Sequence, residues 1–329
     1  MTSGAATEPA PRNRVPGEFP VRIAPPDLSH WRAGNFGLPG FIQRKASTPG
    51  PHLMIVSLMH GNEFSGAIVL DRLLRQGLTP QRGTLTLGFI NLAAFDRFDP
   101  TEPTASRFID EDLNRIWDEA LLRGGRDSHE LARARQIRPF LNTVDVLLDL
   151  HSMLWPSDPL LLAGSASRGL ELARRLPLPG LVVVDSGHAG GRRLIDHPHF
   201  VAPGGSAIAN LLEAGQHWQE ETVTMTEQTV LAMLALHGMI DAPAAPAPAP
   251  ARASRRIAMV THTISPATGQ FAFVAPYHGG QVIPSRNTLI ALDGTAEIRT
   301  PYDDCLLVMP SLRASRGHTA VRLARIEAG

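Results

Sequence analysis

Short apolar runs alternate with longer amphipathic stretches through the first two thirds of the chain. The apolar runs predict strands over residues 40–45, 53–59, 83–91, 144–150, 159–163, 180–185 and 207–212. The amphipathic stretches predict helices over residues 63–76, 128–141, 167–176 and 222–237. Strands and helices that alternate in this way are typical of α/β proteins. The pattern therefore predicts an α/β fold, with a mostly parallel or mixed sheet and helices on both of its faces.

The pattern changes at both ends of this region. Residues 242–254 are dominated by alanine and proline, which favour an extended chain and predict a semi-rigid linker. Residues 255–329 contain short β-like runs punctuated by glycine and proline, and they predict a smaller C-terminal all-β domain. Residues 1–26 are rich in small residues and proline and predict a flexible N-terminal arm. Residues 27–241 then form the main domain.

The composition excludes several classes of function. The chain of 329 residues is 43% hydrophobic and 19% charged, as expected for a globular protein. Its 31 Lys and Arg residues balance 31 Asp and Glu residues, which argues against nucleic acid or an anionic membrane as a partner. We find no signal peptide and no apolar run of membrane-spanning length. The single cysteine, Cys305, excludes an internal disulfide framework, and we expect a cytoplasmic, reducing location.

Two histidines and a glutamate follow predicted strands and form a candidate metal site. His60 and Glu63 are three residues apart after one apolar run, and His151 ends another. Parallel sheets collect ligands at the carboxyl ends of their strands, so these side chains are expected to meet. Two imidazoles and one carboxylate are a ligand set of catalytic zinc, which keeps a fourth position open. The alternative is that both histidines are ordinary residues at strand ends.

Further motifs place this candidate site in a family. Four motifs occur in order between residues 50 and 220: His60-Gly61-Asn62-Glu63, Arg107-Phe108-Ile109-Asp110-Glu111-Asp112-Leu113-Asn114-Arg115, Asp149-Leu150-His151-Ser152 and Leu212-Glu213-Ala214-Gly215. Together they resemble the succinylglutamate desuccinylase/aspartoacylase family, relatives of the zinc carboxypeptidases. The resemblance implies a zinc carboxypeptidase-like fold, with one Zn²⁺ per chain held by His60, Glu63 and His151.

The resemblance also implies roles for residues outside the metal ligands. Glu213 would be the general base, which takes a proton from the attacking water and returns it to the departing amine. Arg107 would stabilise the charge that develops on the carbonyl oxygen. Asn114 and Arg115 would hold a substrate carboxylate, for which the guanidinium fork is suited. The alternatives are that Glu213 is a solvated turn residue and that Arg115 pairs with a surface aspartate.

One loop departs from the family pattern. Pro203 occupies the position of an arginine with which aspartoacylase grips its substrate, which argues against N-acetylaspartate as the natural substrate. The same loop instead contains His188, Arg192 and Arg193, which are candidates to bind an anionic or polar leaving group. The equal alternative is a solvated surface loop. Asp149 is either the residue that orients His151 or a buried structural carboxylate.

The leading hypothesis is a zinc-dependent hydrolase that removes an acyl group from a small N-acylated amino acid or related amine. The alternatives are a zinc carboxypeptidase that cleaves a peptide bond and a non-catalytic zinc-containing protein that binds a ligand. Only the two enzymes require the base Glu213. Family resemblance adds the expectation of a homo-oligomer.

Overall fold

A computed structural model describes residues 19–188, 190–241 and 255–327. Fourteen strands occur in these ranges: β1 (Phe41–Lys45), β2 (His52–Ser57), β3 (Thr84–Phe89), β4 (Val146–Met153), β5 (Leu160–Leu162), β6 (Leu181–Val184), β7 (Ile208–Gln216), β8 (Arg256–Ile264), β9 (Phe271–Phe273), β10 (Val282–Ile283), β11 (Leu289–Asp293), β12 (Ala296–Arg299), β13 (Cys305–Val308) and β14 (Val321–Ile326). The α-helices of the same ranges are α1 (Ser65–Arg75), α2 (Leu92–Phe95), α3 (Glu119–Arg123), α4 (His129–Leu141), α5 (Ser167–Arg175), α6 (Pro198–Val201) and α7 (Glu220–Leu236).

Eleven strands form one mixed sheet in the order β1-β3-β2-β4-β7-β5-β6-β8-β14-β13-β10. The four central strands β3, β2, β4 and β7 are parallel to one another, so their carboxyl ends lie at one edge. Strand β5 runs antiparallel to β7, and β1 runs antiparallel to β3. The predicted mixed sheet is confirmed, and its parallel centre creates the edge where the candidate site residues meet.

Both faces of the central sheet are buried. Leu53 and Ile55 of β2 contribute to the core on the side of α1 and α7, whereas Met54 and Val56 contribute to the core on the side of α4. Alternate residues of a strand point to opposite faces, so a strand covered on both sides reads as one continuous apolar run. This is why the central strands were recognisable in the sequence.

The C-terminal region is entirely β-structure among its described residues, as expected from its sequence. Strand β8 pairs in parallel with β6, and β14, β13 and β10 extend the large sheet beyond it. Strands β12, β11 and β9 form a separate three-stranded antiparallel sheet. The predicted linker at 242–254 lies outside the described residues, so the domain boundaries stay a prediction.

The predicted N-terminal arm lies only partly within the described residues. Residues 1–18 lie outside the described part of the chain. The rest of the predicted arm, residues 19–26, has no helix or strand, yet Phe19, Val21 and Ile23 pack partly buried against the main core. Within the described ranges, the helices are all too short or too polar to cross a membrane.

Candidate metal centre

A tight turn after β2 positions His60 and Glu63. Leu58 adopts a left-handed backbone conformation, with φ of 58°, which is uncommon for a residue with a branched side chain. Gly61 follows His60 where a Cβ atom would lie only 2.4 Å from the carbonyl carbon of Ala94 and 2.5 Å from Ser106 O. Only glycine fits this close backbone approach. The local sequence therefore places both candidate ligands at the carboxyl edge of the sheet, before α1 begins.

His151 and Glu213 lie on neighbouring strands in direct register. The parallel pairing of β4 with β7 brings their Cα atoms opposite one another. Side chains of paired residues project to the same face of a sheet, so the imidazole and the carboxylate point to the same side. Both residues are buried. Their proximity follows from strand pairing across 62 residues of sequence, which local sequence patterns do not specify.

The three predicted metal ligands converge on a buried point. His60 Nδ1 lies 2.8 Å from Glu63 Oε1, and His151 Nδ1 lies 2.9 Å from Glu63 Oε2. One donor atom from each residue lies within 4.8 Å of the others, and all three residues are buried. Nitrogen and carboxylate donors in this number match an open zinc site.

A carboxylate lies beside the second nitrogen of each imidazole. His60 Nε2 is 3.0 Å from Asp112 Oδ1, and His151 Nε2 is 3.0 Å from Asp149 Oδ2. The oxygens of Asp149 have no hydrogen-bond partner of good geometry among the described residues. Zinc-binding histidines usually have such an outer carboxylate, which orients the ring. The residues present therefore fit a zinc ion.

Buried charges perturb the acid–base properties of the site. Burial alone would raise the pKa of Glu63, but His60 and His151 hold it well below its usual range. Burial would likewise favour neutral His151, but Asp149 and Glu63 raise its pKa well above the ordinary value. Burial raises the pKa of Glu213 to about 8, and its Oε2 has no hydrogen-bond partner among the described residues. A carboxyl group with a pKa near neutrality is well matched to general acid–base work.

Arg107 lies at the same centre. Its Nη1 donates to Glu63 Oε1 at 2.9 Å, and its Nη2 donates to Asp112 Oδ2 at 3.2 Å. Although burial opposes the charge, Asp112 and Glu63 raise the pKa of the guanidinium. Arg107 therefore stays charged beside the candidate metal ligands.

Asn114 and Arg115 follow in a short 3-10 turn, Leu113–Arg115, which Asp112 caps by accepting from Asn114 N. Asn114 Nδ2 is 3.5 Å from His151 Nε2, and its Oδ1 accepts from Leu194 N at 2.9 Å. Arg115 Nη1 donates to Asn114 O, and its Nη2 is 3.8 Å from Asp112 Oδ2. The alternative pairing of Arg115 with an aspartate is thus present only at a distance too long for a hydrogen bond.

These residues open onto a cavity of about 600 Å³. The C-terminal region supplies one side of it, and we call this side the C-terminal wall; it comprises Met309, Pro310, Ser311, Arg313, Ala314, Ser315, Gly317, His318, Thr319 and Arg322. Trp155 also lines the cavity and contacts Phe19 edge to face, with ring centroids 5.3 Å apart. Trp218, by contrast, is fully buried and donates from Nε1 to Asn62 O at 3.0 Å.

The three candidate residues of the loop that departs from the family pattern lie in different surroundings. His188 lines the cavity, and burial together with nearby arginines lowers its pKa to about 3. Arg192 is exposed, pairs with Asp118 at 3.1 Å and does not line the cavity. Arg193 borders the cavity, yet its guanidinium donates to both oxygens of Asp185 and of Asp196 at 2.6–3.0 Å. Arg193 is thus positioned to hold the loop together rather than to grip a ligand.

Sequence reasoning left three residues of the cavity without a role. His217 Nδ1 is 2.7 Å from Ser152 Oγ, and its Nε2 is 3.9 Å from Glu63 Oε1. Asp112 contacts both His60 and Arg107. Arg322 enters from β14. Asp112 was recoverable because it lies within the Arg107–Arg115 motif, whereas Arg322 carries no local signal.

Comparisons with known proteins agree with the geometry. The family model described as succinylglutamate desuccinylase/aspartoacylase catalytic domain matches residues 49–237. A "Probable aspartoacylase" of Parasynechococcus marenigrum (strain WH8102) is 34% identical over 106 residues, which are 30% of this chain and 33% of that protein. The aspartoacylase of Xenopus tropicalis is 31% identical over 120 residues, which are 33% of this chain and 36% of that protein. The chain thus spans about a third of the length of these curated relatives.

The similarity to solved structures covers most of the chain. The crystal structure of succinylglutamate desuccinylase from Vibrio cholerae superposes with a TM-score of 0.66, over 88% of this chain and 86% of that one, at 18% identity.

Proposed function

Because this chain belongs to the succinylglutamate desuccinylase/aspartoacylase family, we propose that it is a zinc-dependent hydrolase that removes an acyl group from a small N-acylated amino acid or related amine. The observation that carries the proposal is the buried convergence of His60, Glu63 and His151 beside Glu213 in one cavity. Bound zinc would supply Lewis acidity, which activates water for attack near neutral pH.

Two residues would assist the chemical step directly. Water attacks the amide carbonyl carbon, and Glu213 accepts the proton that the water loses. Arg107, held by Glu63 and Asp112, stabilises the negative charge that develops on the carbonyl oxygen. Glu213 then returns the proton to the amine nitrogen as the carbon–nitrogen bond breaks, which yields a carboxylic acid and a free amine.

The surrounding residues would bind and orient. Asp112 and Asp149 lie beside the outer nitrogens of His60 and His151 and would hold the rings in place. Arg115 and the Nδ2 group of Asn114 remain the candidates to hold a substrate carboxylate. His188 lines the same cavity and, with its pKa lowered to about 3, is neutral at physiological pH. It would therefore offer a hydrogen bond rather than a charge.

The shape of the cavity favours a small substrate over a peptide. Its volume of about 600 Å³ is typical of sites for small molecules. The C-terminal wall lines one side of the cavity, which supports a small substrate. A carboxypeptidase remains the alternative function and would use the same metal ligands and base.

A metal assay combined with a substrate panel tests the proposal. We expect about one zinc per chain and hydrolysis of at least one member of a panel of N-acetyl, N-succinyl and N-formyl amino acids. Removal of zinc with a chelator should abolish the hydrolysis, and re-addition should restore it. His151→Ala should lose zinc, whereas the matched variant His129→Ala, on the exposed start of α4, should keep both zinc and activity. Cleavage of peptides alone would instead support the carboxypeptidase.

A further inference from the structure

Two arginine side chains line the cavity that contains the candidate metal centre. Arg115 comes from the 3-10 turn after Asp112, and Arg322 comes from β14 in the C-terminal wall. Each is among the charges that perturb His188, which places all three groups within electrostatic reach. Arg115 and Arg322 are 207 positions apart in the sequence, so only the tertiary fold brings them to one place.

The guanidinium of Arg322 is buried without a hydrogen-bond partner. Its side chain is 9% exposed, and its Nε lies 3.7 Å from Asp185 Oδ2. That carboxylate already accepts two hydrogen bonds from Arg193, at 2.6 and 2.9 Å. Among the described residues, no hydrogen bond reaches the guanidinium of Arg322. A buried arginine normally satisfies several of its five N–H donors, so these donors call for an acceptor.

The guanidinium of Arg115 also has few hydrogen-bond partners. One of its donors bonds to Asn114 O at 2.7 Å, and its closest carboxylate, Asp112, is 3.8 Å away. Burial lowers its pKa, and Arg322 is one of the neighbouring charges that lower it further. The same cationic surroundings help to lower the pKa of His188. Two partly unpaired cations and a neutral imidazole that line one cavity favour an anion.

We propose that Arg322 joins the carboxylate-binding group already expected at Arg115, as one anion subsite, and determines specificity for substrates with a free carboxylate. This inference rests on the proposed deacylase function and adds to it a residue of the C-terminal wall that would favour acidic over neutral substrates. The bound carboxylate would accept hydrogen bonds from both guanidinium groups. The C-terminal wall would thus take part in substrate recognition through Arg322, in addition to covering the site.

A pair of substrates that differ only in charge tests the subsite. For the panel member that is hydrolysed best, kcat/KM is compared with that of its carboxamide. Charge-assisted hydrogen bonds predict that the wild type prefers the acid by about 10- to 100-fold. Arg322→Gln should reduce this preference to within a few fold, mainly through KM. The matched control Arg325→Gln, on the same strand but exposed and outside the cavity, should keep it.

The Arg322→Lys variant provides a second test in case the glutamine variant does not fold. Lysine keeps the charge but lacks the paired donors of the guanidinium, so the preference should fall severalfold while the circular dichroism spectrum is unchanged. An acid preference that stays at the wild-type level in a folded Arg322→Gln or Arg322→Lys protein would overturn the subsite.

A binding measurement separates failure of the subsite from failure of the proposed function. Succinate is titrated calorimetrically into the zinc-loaded wild type and the Arg322→Gln variant, and we expect the variant to bind at least about 10-fold more weakly. If no panel member is hydrolysed but succinate binding depends on Arg322, the deacylase proposal fails and the subsite stands. If hydrolysis is found while neither selectivity nor succinate binding depends on Arg322, the subsite fails alone.

Discussion

Replacement of Glu213 by glutamine separates catalysis from metal binding. The change keeps the shape of a buried side chain, and it removes the carboxylate proposed to accept and return the proton. General acid–base catalysis contributes about 10²- to 10⁴-fold, so kcat should fall by that factor, which corresponds to roughly 3–5 kcal/mol in the barrier. Because the proposed metal ligands are His60, Glu63 and His151, the zinc content should stay near one per chain.

Although Glu213→Gln should lower kcat, it should increase the stability of the metal-free protein. Burial raises the pKa of Glu213 from an unfolded value near 4.5 to about 8 in the metal-free protein. The folded state therefore binds the proton more tightly, and the free energy of unfolding decreases as the pH rises from 4.5 towards 8. At 1.36 kcal/mol per pKa unit, the penalty at pH 7 approaches roughly 3 kcal/mol. Metal-free Glu213→Gln should therefore equal the wild type in stability near pH 4.5 and exceed it at pH 7–8.

Steady-state kinetics, metal analysis and urea unfolding from pH 5 to pH 8 measure these effects. The control is Glu227→Gln on α7, whose carboxylate lies 3.8 Å from Arg72 and does not line the cavity; it should change neither kcat nor the pH dependence. Unchanged hydrolysis in Glu213→Gln would remove this residue from the mechanism. Retained zinc with no hydrolysis in the wild type would support the non-catalytic ligand-binding protein.

Three further predictions test the surroundings of the site. Gly61→Ala should lower the free energy of unfolding by about 3 kcal/mol or prevent folding, because its Cβ would lie 2.4–2.5 Å from backbone atoms; in Gly125→Ala, where nothing lies within 4 Å, urea unfolding should change by less than about 1 kcal/mol. The hydrogen bond from Arg138 is the main cause that lowers the pKa of Glu119 to about 2, so Glu119 stabilises the fold above pH 4.5 and loses this effect as the pH falls towards 2. Glu119→Gln should therefore cost about 1–2 kcal/mol at pH 7 after allowance for solvent screening, and a penalty that does not shrink at pH 3 would contradict this role. Burial raises the pKa of the Cys305 thiol to about 11, so a thiol reagent at pH 7.5 should label it only after denaturation; rapid labelling of the native protein would show that the C-terminal core opens readily.

Local patterns identified the elements that carry the metal centre. The predicted strand at 53–59 corresponds to His52–Ser57, and the predicted helix at 128–141 corresponds to His129–Leu141, which Ser128 caps by accepting from Leu131 N. These elements were legible because periodicity and capping depend on neighbours within a few residues. Short elements such as α3 and α6 escaped, since one turn of helix has no measurable period.

The loop after β6 shows where local reasoning stops. His188, Arg192 and Arg193 had equal standing in the sequence, yet one faces the cavity, one is exposed and one is enclosed by Asp185 and Asp196. Asp196, which accepts hydrogen bonds from Arg193, is three residues away in the sequence. The path of the loop decides which arginine contacts it. In an irregular segment the direction of a side chain depends on tertiary packing, and the sequence has no periodicity from which it could be predicted.

By itself, the sequence determined the α/β architecture, the carboxyl-edge position of His60 and His151 and the chemical character of the metal ligands. These properties follow from hydrophobic periodicity and from residue types within short motifs. Only the tertiary structure placed Glu213 in register with His151, joined β8, β14, β13 and β10 to the main sheet and brought Arg322 into the same cavity as Arg115. The physical reason is that strand pairing and the closure of a cavity depend on contacts between residues remote in sequence, whose energy no local pattern records.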